Sequence, residues 1–243
     1  MRIAAISLGA ALLLAPCLTM AADAPSPGQP DISGVFRLIN DGKGVLTVEG
    51  QEPPLRPEAK ALLDKRVASQ DTLKPWANVS ASCLPPGMPR AALSTAPPPF
   101  EILQTPGQVT IILEWMSAVR RVHLNRGHPD YIEPSWYGDE IGHWEGDTLV
   151  VDTIGLNAKS SIDTVGMPMS TAMHIIERIR RVAPNRVEDL MTIDDPKTFT
   201  KPWTTRIAYA QQPPGSEIME YVCEDNHTVQ DADGYIISFF SGR

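Results

Sequence analysis

The sequence lacks the short motifs that mark the common enzyme classes. Its 243 residues contain no glycine-rich phosphate loop, no GxSxG turn, no HExxH pair and no CxxC pair. An internal repeat and an alternation of strands with helices are also missing from the pattern. The motifs therefore indicate no standard enzyme class, and the pattern favours consecutive strands over a parallel α/β sheet.

Positive charge is also scarce. The chain has 21 Lys and Arg against 29 Asp and Glu, which gives a formal net charge of −8. Because nucleic acids and anionic membranes bind clustered Lys and Arg, this composition argues against both as partners. After the amino-terminal segment the sequence has no apolar run of membrane-spanning length, so we expect no membrane span once that segment is removed.

Residues 1–22 have the pattern of a signal peptide. Arg2 forms the positive end, an apolar run covers Ile3–Leu18, and Ala21 and Ala22 provide small residues for cleavage. A membrane anchor is the alternative, but the apolar run is short for a bilayer span. We therefore expect a periplasmic or secreted protein.

A lipoprotein signal is a further alternative, based on Cys17. It is disfavoured because Pro16 stands where a small residue is expected. Beyond the signal peptide, the proline-rich residues 23–31 are predicted to be a flexible leader. The remaining residues, 32–243, are predicted to form a single β-rich domain.

Cysteine is rare in the mature chain, where only Cys83 and Cys223 remain. In an exported protein such a pair is most simply one disulfide, which we expect here. A metal or catalytic thiol is the alternative, and its only support is His227, four residues after Cys223.

Proline is abundant, with 23 residues, and suits short strands joined by rigid turns. One short amino-terminal helix is predicted over residues 57–68, where Pro57 fits the first helical position. Strands are predicted over Ile32–Asn40, Phe100–Gln104, Val109–Trp115, Met116–Leu124, Asp139–Leu156 as a hairpin, Ala172–Val182, Val187–Asp195, Lys201–Ala210, Glu217–Cys223 and Tyr235–Phe240. We expect an antiparallel up-and-down meander that closes into a barrel or a strongly curved sheet, because closure removes exposed edges.

The hairpin over Asp139–Leu156 is the best specified element. Gly146-Asp147 is a two-residue turn signal, and it places His143 and Asp152 as diagonal neighbours on one face. A carboxylate that holds an imidazole in one tautomer produces a general base, so this pair is the first candidate catalytic site.

A second hairpin is predicted over residues 172–195, although the first half of this segment also suits a helix. The hairpin register places Arg181 across from Glu188. In the same register, other residues of opposite charge face each other, and apolar residues face apolar residues. In this register His174 faces Asp195 near the open end.

His174 with Asp195 is therefore the second candidate pair, with Arg178 pointing the same way as a possible anion stabiliser. In the helical alternative, His174 and Glu177 would share a face, as metal ligands can. The strand interpretation separates them, so we predict no metal site and no cofactor.

Aromatic residues and two loops are candidates for ligand binding. A flat or apolar ligand suits Trp and Tyr side chains, of which the candidates are Trp115, Trp136, Trp144, Trp203 and Tyr221. The loops Cys83–Pro99 and Gly127–Trp136 would form the rim of the barrel. The loop residues His128 and His227 are interpreted as solvated side chains.

Six phrases of the sequence carry a family resemblance. They are CLPPGMPR, FEILQTPGQVTIILEW, GHWEGDTLVVDTIGLN, HIIERIRRV, TIDDPKTFTKPW and MEYVCEDN, in this order between Cys83 and Asn226. Together they resemble a broad group of uncharacterised exported bacterial proteins. The resemblance implies export and a β-rich fold similar to lipocalin-like barrels, and it implies no reaction. Tyr often occupies the position of His123 in the group, which argues against a role for His123.

These observations lead to one principal functional hypothesis and two alternatives. The principal one is an exported, disulfide-linked barrel that binds a small, largely apolar molecule. The first alternative is a cofactor-independent isomerase, lyase or hydrolase that transfers protons with a His–carboxylate pair. The second is a structural envelope protein without a pocket. A His–carboxylate pair inside a closed pocket would favour the enzyme, an apolar pocket without one would favour the binder, and a filled barrel would favour the structural role.

Overall fold

A computed structural model describes residues 29–39, 45–69, 83–94, 97–223, 228–230 and 236–238. The predicted signal peptide, residues 1–22, and most of the predicted leader, residues 23–31, lie outside these ranges and stay predictions. His227 also lies outside the described residues.

The described chain is mainly β, as predicted, and its first nine strands form a closed barrel. The strands are β1 (Gly34–Leu38), β2 (Phe100–Thr105), β3 (Gln108–Leu113), β4 (Ala118–His123), β5 (Asp139–Glu145), β6 (Thr148–Ile154), β7 (His174–Ala183), β8 (Arg186–Asp194) and β9 (Trp203–Gln211). β1 pairs with both β2 and β9, so the sheet closes on itself and its edges are removed.

Side chains alternate between the two faces of each barrel strand, as the period of two requires. In β8, for example, Val187, Asp189, Met191 and Ile193 are buried inside the barrel, while the residues between them are more exposed. The core is largely aliphatic, and it includes Val122, Leu149 and Ile175. The barrel interior is therefore mainly aliphatic, although it also contains buried charged side chains and a small cavity.

The first predicted hairpin is confirmed in detail. The turn lies at Gly146-Asp147, and His143 is opposite Val150 while Ile141 is opposite Asp152. The preceding meander of β2, β3 and β4 is confirmed as well, with antiparallel pairing throughout.

One barrel pairing differs from an all-antiparallel meander. β4 and β5 are parallel over a short overlap, with Val122 opposite Glu140 and His123 opposite Ile141. The connection, residues 124–138, is long enough to return the chain so that β5 continues in the direction of β4. The barrel is therefore mixed, although its other pairings are antiparallel.

The second hairpin, β7–β8, forms as predicted, but its register is shifted by one residue. The turn pairs Ala183 with Arg186, and a bulge at Val182 then places Arg181 opposite Val187 instead of Glu188. Because the register is shifted, His174 faces Asp194 and not Asp195.

The predicted hairpin between residues 201–210 and 217–223 is wrong. β9 hydrogen-bonds to β8 on one side and to β1 on the other, so neither of its edges is free for a further strand. Glu217–Cys223 forms no strand in the described chain. The final two strands, β10 (Thr228–Gln230) and β11 (Ile236–Ser238), pair with each other outside the barrel.

Two helices accompany the barrel. α1 (Pro57–Ser69) confirms the predicted helix, and α2 (Arg90–Leu93) is a single turn inside the proline-rich Cys83–Pro99 loop, where none was predicted. Neither of these described helices has the length and apolar character that a membrane span requires. The predicted disulfide joins Cys83 to Cys223, with their Cα atoms 5.6 Å apart.

The Cys83–Pro99 loop folds onto the barrel instead of forming an open rim. Met88 and the four residues of α2 are buried. Arg90 Nη1 donates a hydrogen bond to Ser161 Oγ at 2.7 Å, and Met88 N donates to the carbonyl of Trp136 at 2.9 Å. Burial lowers the pKa of Arg90 to about 10, against the opposing effect of Asp163. The loop thus closes one part of the barrel.

Candidate functional site

The first candidate site is a cavity inside the barrel, beneath α2. Its volume is about 30 Å³, which is room for about two water molecules. Ala91 and Ala92 of α2 form part of its wall. The other lining residues are Phe100, Ile102, Ile111, Leu113, Arg120, Glu177, Ile179, Val187, Asp189 and Tyr209. The cavity therefore has apolar walls and a charged end.

The charged end is built on Arg120, which β4 directs into the barrel. Its guanidinium donates two hydrogen bonds to Glu140 Oε1, from Nε at 2.8 Å and from Nη2 at 2.6 Å. It also donates hydrogen bonds to both carboxylate oxygens of Glu177. Although burial opposes its charge, these two carboxylates raise the pKa of Arg120. Arg120 is thus a permanent cation whose hydrogen bonds hold β4, β5 and β7 together.

Asp189 adds a third carboxyl group to this cluster. It is 1% exposed and lies beside Glu177, to which its side chain hydrogen-bonds. Burial, followed by the negative charge of Glu177, raises the pKa of Asp189 well above its usual value. Burial also raises the pKa of Glu140. Burial and the neighbouring charge of Glu177 therefore favour the protonated form of Asp189.

Two buried carboxylate oxygens of this cluster are unsatisfied. Asp189 Oδ1 and Glu140 Oε2 have no hydrogen-bond partner among the residues that the structure describes. Of these two residues, Asp189 lines the cavity. A buried acceptor without a donor is costly in free energy, which makes this oxygen a candidate contact for a ligand.

The second candidate site is a groove on the outer wall of the barrel. Its volume is about 600 Å³, and it lies between the residues that follow β4 and the outer faces of β5, β6 and β7. Ile141, Val150 and Ile176 contribute apolar surface, and His143 and Asp152 contribute polar groups. A groove of this size can admit a small organic molecule.

Asp152, which lines this groove, contacts two histidines. Its Oδ1 is 2.8 Å from His174 Nε2 and 3.2 Å from His128 Nε2. His128 is also bound at Nδ1, 2.8 Å from Asp139 Oδ2. Each of its ring nitrogens thus faces a carboxylate oxygen, and His128 links Asp139 of β5 to Asp152 of β6.

Asp139 is anchored in turn by Arg126, whose Nη2 is 2.5 Å from Asp139 Oδ1. Burial acts to raise the pKa of Asp139, but the hydrogen bonds from Arg126 and His128 outweigh it, so the pKa is lowered. Asp139 therefore remains an anion at neutral pH and holds the Nδ1 side of His128.

The outer wall also contains a separate ionic group. Glu145 accepts hydrogen bonds from Arg178 Nη2 at 2.8 Å and from His143 Nε2 at 3.1 Å, and these two contacts lower its pKa. The predicted contact of His143 with Asp152 is therefore replaced by one with Glu145. Arg178 has the same phase in β7 as His174, as predicted, but its charge is paired with Glu145.

The predicted contact of His174 with Asp195 is wrong for two reasons. The bulge at Val182 shifts the register, and Asp195 is fully buried. Its carboxylate accepts hydrogen bonds from Ser170 N and Oγ, both at 2.6 Å, and from Thr198 Oγ1 at 2.7 Å. Asp195 thus stabilises the turn after β8, while His174 is held by Asp152.

The five candidate aromatic residues are dispersed. Trp203 is buried against Phe199, with ring centroids 5.3 Å apart, and Trp144 packs half-buried on the core. Trp115, Trp136 and Tyr221 are half-buried in turns and loops. Among the described residues that line the cavity or the groove, none of these five occurs. Their predicted role in ligand binding stays a prediction.

Sequence reasoning missed the interior cluster and the role of His128. A signal for the cluster was present, because Glu177 lies between Ile175 and Ile179 in the inward phase of β7, and Asp189 has the same phase in β8. His128 could not be found in this way. Its partners come from β5 and β6, and only the folded connection 124–138 places it between them.

The described residues contain no group of three or more His, Cys, Asp or Glu side chains arranged to hold a metal ion. A comparison of the chain with family models and with curated proteins finds no match. The cavity and the groove are therefore the features from which we infer a function.

Proposed function

We propose that this protein is exported to the periplasm or secreted, and that it binds a small, largely apolar molecule in the barrel cavity. The observation that supports this proposal is the cavity itself, whose wall is formed by aliphatic and aromatic side chains of β2, β3, β7, β8 and β9 and by α2. The contact of His174 with Asp152 lies outside this cavity, and Asp152 lines the groove on the outer wall. An apolar cavity without such a pair supports a binder over an enzyme at this position.

The size of the cavity sets the size of the ligand. A volume of about 30 Å³ admits only a few non-hydrogen atoms. Ala91 and Ala92 form the wall that is easiest to displace, because they belong to a one-turn helix in a loop and not to the barrel. A larger ligand would enter by moving α2 outward.

Native mass spectrometry of the protein, purified from its own exported fraction, tests this proposal. A co-purifying organic mass is expected, and it would identify the class of ligand. The cavity-filling variant Ala92→Leu should lose this mass, whereas Ala61→Leu, on the exposed face of α1, should retain it. A protein without a bound mass, which also binds no member of a panel of small apolar compounds, would contradict the proposal.

A second candidate function is proton transfer in the outer groove. Asp152 accepts a hydrogen bond from His174 Nε2, which leaves Nδ1 of this 42% exposed side chain available as a base. An isomerase, lyase or hydrolase could use this arrangement. In an activity screen, His174→Gln should abolish any such activity, and His123→Gln, at a residue that does not line the groove, should retain it. Equal activities of the two variants would exclude His174 as the base.

A further inference from the structure

The buried cluster at the end of the cavity is electrically unbalanced. It contains one guanidinium, from Arg120, and three carboxyl groups, from Glu140, Glu177 and Asp189, and each of the four side chains is nearly inaccessible to solvent. The guanidinium is already engaged by Glu140 and Glu177. Any further group that enters the cluster would therefore meet surplus negative charge and no unengaged cation among its described members.

Asp189 is the member of the cluster that a ligand in the cavity can reach. Its side chain is 1% exposed, it lines the cavity, and its Oδ1 has no hydrogen-bond partner in the described part of the chain. A carboxyl oxygen in this position accepts a hydrogen bond whether or not the group is protonated. The cavity therefore requires a donor at its charged end and an apolar group along its wall.

We propose that the inner end of the cavity is a subsite for the ammonium group of a small aliphatic amine, which donates to Asp189 Oδ1 while its carbon chain lies against Ile179 and Val187. This inference rests on the proposed function, because it specifies the ligand of the same cavity. An ammonium group provides three donors and the positive charge that the cluster lacks. An anion is excluded by the two buried carboxylates that occupy Arg120.

Proton transfer between the Asp189 carboxyl group and the amine needs no additional reagent. If the amine enters in its neutral form, its nitrogen takes the proton of the Asp189 carboxyl group and becomes an ammonium ion beside a carboxylate. The N–H bond forms as the O–H bond breaks, and the total charge of the cavity is unchanged. The raised pKa of Asp189, caused by burial and by Glu177, means that this proton is present before the ligand arrives.

The test is an NMR titration of the protein with three probes of similar size, namely ethylamine, ethanol and acetate. Ethylamine should shift the amide resonances of residues that line the cavity, with an affinity at least tenfold higher than that of ethanol, and acetate should not bind there. This comparison uses only the wild-type protein, so it does not depend on the folding of a variant.

Asp189→Asn tests the contact directly, with Asp130→Asn on an exposed loop as the matched control. Circular dichroism should first establish that both variants are folded. Ethylamine affinity should fall at least tenfold in Asp189→Asn and remain unchanged in Asp130→Asn. If ethanol binds in the cavity as tightly as ethylamine, the amine inference is overturned and the proposed function stands. If no small amine or apolar probe binds in the cavity, both are overturned.

Discussion

Asp189→Asn is expected to change how stability depends on pH. Asp189 is buried and its pKa is raised by burial and by Glu177, so the folded protein retains a proton that the unfolded chain releases near pH 4. Because the folded state then binds more protons, its stability is greatest below the unfolded pKa and is lost as the pH rises towards the folded pKa. Asn cannot ionise, and it preserves both the volume and the hydrogen-bond donor of the protonated acid.

The magnitude follows from linkage. A single proton bound only by the folded state changes the free energy of unfolding by up to about 1.4 kcal/mol per pH unit. Between about pH 5 and about pH 7, the wild-type protein should therefore lose up to about 2.7 kcal/mol relative to Asp189→Asn. For a chain of this size, this loss corresponds to a relative decrease in Tm of up to about 10 °C.

The assay is urea unfolding, followed by circular dichroism, for the wild type, Asp189→Asn and the exposed control Asp130→Asn. The pKa of Glu140 is raised by burial as well, but that effect is present in all three proteins and cancels in the comparison. The difference between the wild type and Asp189→Asn should widen from pH 5 to pH 7, and that between the wild type and the control should not. A difference that is independent of pH would refute the assignment of a buried proton to Asp189.

Three further predictions concern stability. Arg120→Met should lower the free energy of unfolding in urea by at least about 3–5 kcal/mol, because it leaves buried carboxylates unpaired. The control Arg121→Met, at an exposed neighbour, should change it by no more than about 0.5 kcal/mol. Similar losses in the two variants would contradict the interior placement of Arg120. Changing Cys83 and Cys223 to Ser together should cost about 2–5 kcal/mol, and alkylation of both thiols in the unreduced protein would disprove the disulfide. Gly138→Ala should lower the unfolding free energy by more than about 1 kcal/mol, because a Cβ would lie 2.3 Å from a carbonyl oxygen of β6 at a φ of +71°; an unchanged Tm would contradict this conformation.

Local patterns predicted most of the barrel correctly. The Gly146-Asp147 turn and the alternation around it determine the register of β5 and β6, because both signals lie within a few residues of each other. The shift in β7–β8 has a different origin. A bulge at Val182 is an irregularity of the folded sheet, and the local charge pattern gave no sign of it.

The candidate sites were less predictable than the fold. The sequence indicates Asp152 and His174 as candidates in two separate hairpins, but it predicts a different partner for each from the one that the structure shows. Their contact depends on the pairing of β6 with β7, which lies across a long connection. His128 reaches them only through the fold of a loop, for which the sequence has no periodic signal.

The sequence by itself determined the positions of most barrel strands, the first helix, the disulfide partners and the turn at Gly146-Asp147, because turn chemistry, alternation and cysteine count act over short distances or leave few combinations. The tertiary structure alone decided where the charges meet. Barrel closure turned the inward phase of four strands towards one point, so that Arg120, Glu140 and Glu177 share a buried cluster with Asp189. It also decided that α2 forms part of the cavity wall. Contacts of this kind join residues that are distant along the chain, and only the closed sheet specifies which of them become neighbours.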